Sequence, residues 1–310
     1  MMSPDDVRLD DRASWQPIDA APGLAGPRSV AWKINREVVL LLGWGRAILL
    51  QFAHPLVAAG VAEHSTFMTN RRARLRRLYE TLRAMLDLTF GTRAEVERAA
   101  GGINAIHDRV RGVLREPTGI FPAGTPYSAH DPALLAWVHA TLLDTFPLTY
   151  ELFVGPLTPA EQDRYCVEAS GLEPLLGIPP GQLPRSTAEL NRYLDQMFSS
   201  GQIAVGETAR HLARELLYPP VPFWLQPLAA PLLWLARLPV IGTLPPQIRE
   251  AYGLPWRPHE AAALRLMSLL LRRLLPFVPP ALRYWPAARR AMRRGDSFAG
   301  KADALSAETV

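Results

Sequence analysis

One histidine stands out by its spacing. Ile103, Ile106, His107, Val110 and Leu114 recur at i, i+3, i+4 and i+7, so on a single helix they share one inward stripe. That stripe predicts an imidazole aimed at the core, and a neutral imidazole can ligate a metal. Arg111 follows by one turn on nearly the same face. A cation there needs an anionic partner, because an unpaired buried charge is costly. Porphyrin carboxylates would serve, and so would an Asp or Glu of another helix. The same spacing fits a hydrogen-bonded packing histidine, and the residues alone leave both readings open.

Four further groups could do chemistry. His139 shares an apolar face with Leu135, Val138 and Leu142, which makes it a second inward histidine. Glu63-His64-Ser65-Thr66-Phe67 closes an apolar helix with a carboxylate, an imidazole and a hydroxyl. Arg77 and Thr81 stand four apart, so they share a helix face. His54 lies in the apolar run around Gln51-Phe-Ala-His-Pro55.

The elements that must position these groups read as helices throughout. From Ser29 to about Ala62 an apolar pattern is interrupted by Gly43 and Gly45 and punctuated by Arg36, Glu37, Arg46, Gln51 and His54. Charged residues in mid-span are expensive, which predicts two buried helices meeting near the glycines or near Pro55. Arg71 to Phe90 is a helix with Leu75, Leu78, Leu82, Met85 and Leu86 inward. Gly91 ends it, and Thr92 with Glu95 forms a capping box for the helix that carries His107. Residues 112–128 hold three prolines and three glycines and read as a long loop. Asp131-Pro132, Thr158-Pro-Ala-Glu161 and Ser186-Thr-Ala-Glu189 start three more helices, the second running to about Gly177. Tyr218 to Pro246 is apolar but carries eight prolines, too many for a simple transmembrane helix. It reads as short helices over a cavity, or as a segment in a membrane interface anchored by Trp224 and Trp234. An amphipathic helix over Glu260–Phe277 and a basic one over Pro279–Arg294 follow.

No strand alternation persists and no repeat appears. The fold class is therefore all-α: a single globular multi-helix domain, with 1–27 as an extended arm, 28–250 as the main body, 251–298 as helices packed on it and 299–310 as a frayed tail. The chain has 310 residues, 48% hydrophobic and 20% charged, enough for a large core. One cysteine, Cys166, excludes an internal disulfide framework and a cysteine-built zinc or iron–sulfur cage. The net charge of +5 is concentrated in two arginine runs, Arg71 to Arg77 and Arg289 to Arg294. Neither run interleaves aromatics on a groove-sized element, so a nucleic-acid partner is not expected, and a solvated helix face or attraction to anionic lipid is the reading instead. The N-terminus lacks signal-peptide shape, and the expectation is cytoplasmic.

Certain pieces and their order resemble a known family. They are His54-Pro55, Val57-Ala-Ala-Gly-Val-Ala-Glu-His-Ser-Thr-Phe67, Arg77-x-x-x-Thr81, Phe90-Gly91, Ile106-His107-Asp-Arg-Val-Arg-Gly112, Tyr127-Ser-Ala-His-Asp131 and Trp137-Val-His-Ala-Thr-Leu142, with Tyr165 beyond them. The family, once called DUF2236, contains the bacterial rubber oxygenases and the fungal oxygenase of mycophenolic acid biosynthesis. The resemblance covers about residues 28–250.

The resemblance implies a globin-reminiscent helical core with haem b, and iron held by a histidine that an arginine follows four residues later. His107 and Arg111 match that pair, and Arg77 and Thr81 match the Arg-x-x-x-Thr pattern beside the haem. Glu63 corresponds to the family's reactive-side glutamate, with its spacing shifted by a couple of residues. Glu80 stands where the rubber enzyme has a lysine next to the threonine, a departure that bears on the distal chemistry and on rubber as substrate. His54, His64 and His139 belong to the pattern as pocket or packing residues. The implied activity is an oxygenase using O2 on an apolar, isoprenoid-like substrate. A lipid- or isoprenoid-binding protein without iron, and a peripheral membrane protein, are the competing readings.

Overall fold

The computed structural model describes residues 26–64 and 71–294, without the side chains of 71–75 and 77. The expected N-terminal arm, Ser65-Thr66-Phe67, the Arg77 side chain and the C-terminal tail lie outside the described residues. The helices in chain order are α1 (Val30–Asn35), α2 (Leu41–Phe52), α3 (Pro55–His64), α4 (Arg71–Phe90) and α5 (Arg93–His107). A small antiparallel hairpin follows, β1 (Arg111–Val113) with β2 (Pro126–Ser128). Then come α6 (Pro132–Phe153), α7 (Pro159–Ser170), α8 (Glu173–Leu176), α9 (Thr187–Ser199) and α10 (Glu207–Leu217). The chain finishes with α11 (Gln226–Gly242), α12 (Pro246–Ala251), α13 (Pro258–Leu274), α14 (Pro280–Arg283) and α15 over residues 286–294.

The helix starts follow the sequence closely, because each is closed locally. Thr92 and Glu95 form a reciprocal capping box on α5, and Thr158 and Glu161 another on α7. The Asp131 side chain accepts from Ala133 N–H with Pro132 in the first turn of α6, so orphan N-terminal donors are satisfied. The first break falls at Pro55: the helical stretches on either side meet at 107°, since proline disfavours helical backbone at the residue before it.

α6, with both faces largely buried, is the axis of the molecule. α2 crosses it so closely that a Cβ on Gly43 would stand 2.0 Å from Thr149 Oγ1. Here glycine is required by the approach of two helices rather than by its dihedral angles. The charge that interrupts α2, Arg46, is paired: its guanidinium meets Asp144 at 2.6 Å, Thr145 Oγ1 at 2.7 Å and Thr243 O at 2.9 Å. The main core joins α1, α2, α6, α7, α9, α10 and α11. The C-terminal helices are locked on by a fully buried carboxylate, Glu37, which receives the forked guanidinium of Arg283 at 2.7–3.1 Å.

Four expectations are corrected. The helix of His107 ends there, so Val110, Arg111 and Leu114 leave the stripe and enter the hairpin. Val110 and Leu114 are apolar because they pack with Leu56, Tyr127 and Leu134 in a small satellite core. The long loop is therefore partly strand, pinned by Leu114 N–H to Thr125 O. The helix read to Gly177 stops at Ser170 and restarts as α8. Finally, the proline-laden segment forms one 17-residue helix, α11, with Pro231 and Pro239 inside it.

Candidate functional site

The β1–β2 hairpin links two groups of titratable side chains. At its outer edge is a carboxylate cluster. Glu63, in the last turn of α3, accepts a 2.5 Å hydrogen bond from the Tyr127 hydroxyl of β2 and a 2.6 Å bond from Arg115 Nε. Its neighbour His64 reaches the carbonyl oxygen of Arg111 at 3.1 Å, and its ring meets Tyr127 edge-on at 6.3 Å. Gly112 lets the strand pass: a Cβ there would lie 2.6 Å from the Tyr127 hydroxyl and 3.0 Å from Glu63 Oε2. The Tyr127 hydroxyl, more than Arg115, holds the Glu63 carboxyl below its ordinary range, and burial together with Glu63 pushes the Tyr127 phenol up.

The imidazole cluster lies at the end of the hairpin where the chain enters β1 and leaves β2. His107, half-buried at the C-terminus of α5, meets the His130 ring edge-on at 5.8 Å. His130 Nε2 is 2.8 Å from Asp108 Oδ1. His139, on α6, is close enough to His107 to feel its charge. Burial first and that charge second bring His139 down to about 4. Asn104, one turn before His107, donates to Leu175 O, and among the described residues no donor reaches its buried Oδ1. His54 is separate from both clusters, packed on Phe121 with its Nδ1 taking the Leu56 N–H. Burial lowers it to about 4 against the opposing pull of Asp131.

His139 also ends an apolar channel. Two adjoining hollows share Asn35, Met85, Thr89 and Phe146 in their walls. The first, the outer by its place near Trp285, is bounded by Trp44, Leu82 and Trp285, and the second, the inner, by Leu88, Leu142, Leu172 and His139. Most polar neighbours in the wall are already committed. Glu168 caps α1 through the N–H groups of Val30 and Ala31, and Tyr165 donates to Asn35. Among the described residues the His139 ring has no hydrogen-bond partner, so its nitrogens and the Asn35 amide nitrogen are uncommitted polar atoms of a mostly apolar wall.

The structure therefore brings Glu63 and His64 together, and His107 with His139. Arg111 is not a turn beyond His107 on one helix. It lies on β1 with an exposed side chain, and its carbonyl serves His64. Ile106 is 38% exposed, so the stripe read from the sequence is only partly inward. Thr81 is exposed on α4, the helix that packs on α5. Tyr127, Arg115, His130 and Asp108 were given no role by the sequence. The segment Tyr127 to Asp131 stood in the resemblance, but its partners arrive through a hairpin that the residue pattern does not reveal.

His107 is the kind of ligand a haem iron takes, but it lines neither of the two hollows. An imidazole stands at a helix end, with exposed Ile106 on its own helix and exposed Leu78 and Tyr79 on the far half of α4. A haem iron needs a single protein ligand. Among the described residues no three His, Cys, Asp or Glu side chains close on a metal ion. The channel takes a narrower guest. Its two hollows, of about 30 Å³ and 70 Å³, are too small for a macrocycle.

A family model described as the ER-bound oxygenase mpaB/B'/Rubber oxygenase catalytic domain matches residues 32–273, from within α1 to within α13. No curated protein and no solved structure matches the chain. The chain belongs to this family of oxygenase catalytic domains, and so to the oxidoreductases.

Proposed function

From that membership we propose a haem b-dependent oxygenase in which His107 holds the iron and O2 oxidises an apolar, isoprenoid-like substrate. The observation that carries the reading is the juxtaposition of His107 with His139, whose ring lines an apolar hollow. When bound, the haem supplies oxygen activation. The protein's own residues do the rest. The channel binds a thin hydrocarbon by excluding water from it. His139, held neutral above about pH 4, presents an uncharged imidazole that can donate or accept one hydrogen bond at the channel end. Glu63, fixed by Tyr127 and Arg115, is an ionised carboxylate at neutral pH, so it would take up a proton rather than deliver one. Arg77 and Arg111 would pair with the haem carboxylates, and Thr81 would sit on the same side as Arg77. With Glu80 ion-paired to Arg76 at 3.4 Å, the residue beside Thr81 offers no amine to this site.

The experiment is product analysis under isotopically labelled dioxygen, with a terpenoid alkene as substrate. Label entering the product in the purified chain, and not in His107→Ala, supports the reading. Unlabelled substrate recovered from a haem-loaded chain across a panel of linear isoprenoids refutes the substrate class. The same channel would serve a lipid carrier without iron, and native mass spectrometry that finds lipid and no haem would favour that reading.

A further inference from the structure

We propose that the outer face of α11 and α13 docks on an anionic lipid bilayer, placing the outer end of the apolar channel beside the lipid. The two helices run antiparallel. The end of α11 meets the start of α13, where a Cβ on Gly242 would touch Trp256 and Leu264. Leu238 packs with Leu264 in the same cluster that Trp234 and Leu271 border. Their inner faces lie on the core and their outer faces carry leucines. On α11, Leu228, Leu232 and Leu235 form an exposed stripe at i, i+4 and i+7. On α13, Leu266, Leu270 and Leu274 form another. The antiparallel pairing brings the flanking 3-10 turns to one end, where Phe223 and Phe277 are 82% and 84% exposed. Apolar surface of this extent, contiguous along two helices, marks a docking site rather than ordinary surface leucines.

Charge identifies the occupant. Residues 216–249 and 261–295 contain ten arginines and no Asp or Glu, so the rest of the chain carries a net −5. Leucines flanked by Arg237 on α11 and by Arg265, Arg272 and Arg273 on α13, with Glu260 confined to the first turn of α13 and aromatics at the tips, match an interface of acyl chains under anionic headgroups. A second copy of the chain across a two-fold axis would set arginines against arginines, which like-charge repulsion disfavours. Phe223–Gly242 is long and apolar enough to cross a membrane. It lies on the membrane instead, because Leu238, Val240 and Ile241 are built into the core and Val240 is pressed against Gly45, where a Cβ would be 2.7 Å away. The channel's outer end follows from the same surface. Exposed Leu282 on α14 stands three residues before Trp285 of the channel wall, and Arg283 ties α14 to Leu275 at the end of α13. An apolar substrate would pass from lipid to channel without crossing water. That last step rests on the oxygenase reading, whereas the docking does not.

Vesicle flotation of the full chain tests the docking, using phosphatidylcholine vesicles with and without phosphatidylglycerol. Binding is expected to the anionic vesicles, and to be at least about tenfold weaker for neutral vesicles or in high salt. Phe223→Asp with Phe277→Asp should weaken it at least about tenfold with unchanged circular dichroism, since both side chains are solvent-facing. Arg265→Glu with Arg273→Glu should abolish the preference for anionic lipid. His107→Ala should float like the wild type, which separates this result from the fate of the haem assignment. The proposal is overturned if the wild type stays unbound, if the double aspartate variant binds as well as the wild type, or if sedimentation shows a dimer that the aspartates dissolve while vesicle binding is unaffected.

Discussion

Replacing Tyr127 by Phe removes one atom, the oxygen that holds Glu63 at 2.5 Å. Tyr127 is 5% exposed and the Glu63 side chain 23%, so water replaces that donor poorly. A hydrogen bond to a charged group contributes about 1.5–3 kcal/mol. The variant should lose that much at pH 7, a factor of roughly 10 to 150 in the folded-to-unfolded ratio. Arg115, whose side chain is 82% exposed, should matter far less, with Arg115→Ala costing about 0–1 kcal/mol. The pH dependence carries the sign. Because the folded-state Glu63 carboxyl lies below its unfolded value, its contribution is present above about pH 4.3 and fades as pH falls through the folded value. Urea unfolding of wild type and Tyr127→Phe at pH 7 and below pH 4 reads both effects. A loss under about 0.5 kcal/mol at pH 7, or a loss that does not shrink in acid, would refute the reasoning. Gly112→Ala probes the same approach from the other side and should cost about 1–3 kcal/mol by pushing Tyr127 off Glu63.

Other outcomes follow from single features. Arg283→Ala strands a buried carboxylate at Glu37 and should destabilise by about 3–5 kcal/mol in chemical denaturation, with Glu37→Gln plus Arg283→Met recovering much of it. Gly43→Val should fail to fold or unfold at much lower temperature, because α2 cannot separate from Thr149 without opening the core. His54 and His139 are both held at about 4. Their unfolded forms take up protons near 6.5, so stability should fall between pH 6.5 and 4 by up to roughly 3 kcal/mol per histidine. His139→Gln should flatten that slope, which a pH series of unfolding midpoints would read.

What the sequence revealed and what it hid divide along local and non-local chemistry. The capping boxes at Thr92 and Thr158 and the Asp131-Pro132 start are closed within four residues, so they were legible. Arg46 was legible as a charge needing a partner, though not as Asp144's partner. The end of the His107 helix was not legible, because Ile106, Val110 and Leu114 keep helical spacing while the chain turns to pair with 126–128. Tertiary contact overrode the local pattern: Leu114 and Val110 answer to Leu56 and Leu134, not to His107. The prolines of α11 misled in the opposite direction. Pro231 and Pro239 each remove a helix donor, but packing of α11 between α2 and α13 holds the helix regardless. The carboxylate of Glu63 was found by its place in a motif, whereas Tyr127, which fixes its charge, required the hairpin.

The most direct test is the absorption spectrum of the purified chain after incubation with one equivalent of haemin, compared with His107→Ala. The account requires a protein-bound Soret band in the wild type that the variant loses or strongly weakens while its circular dichroism is unchanged. A wild-type chain that takes up no haemin, or a variant whose band is indistinguishable from the wild type's, would contradict it.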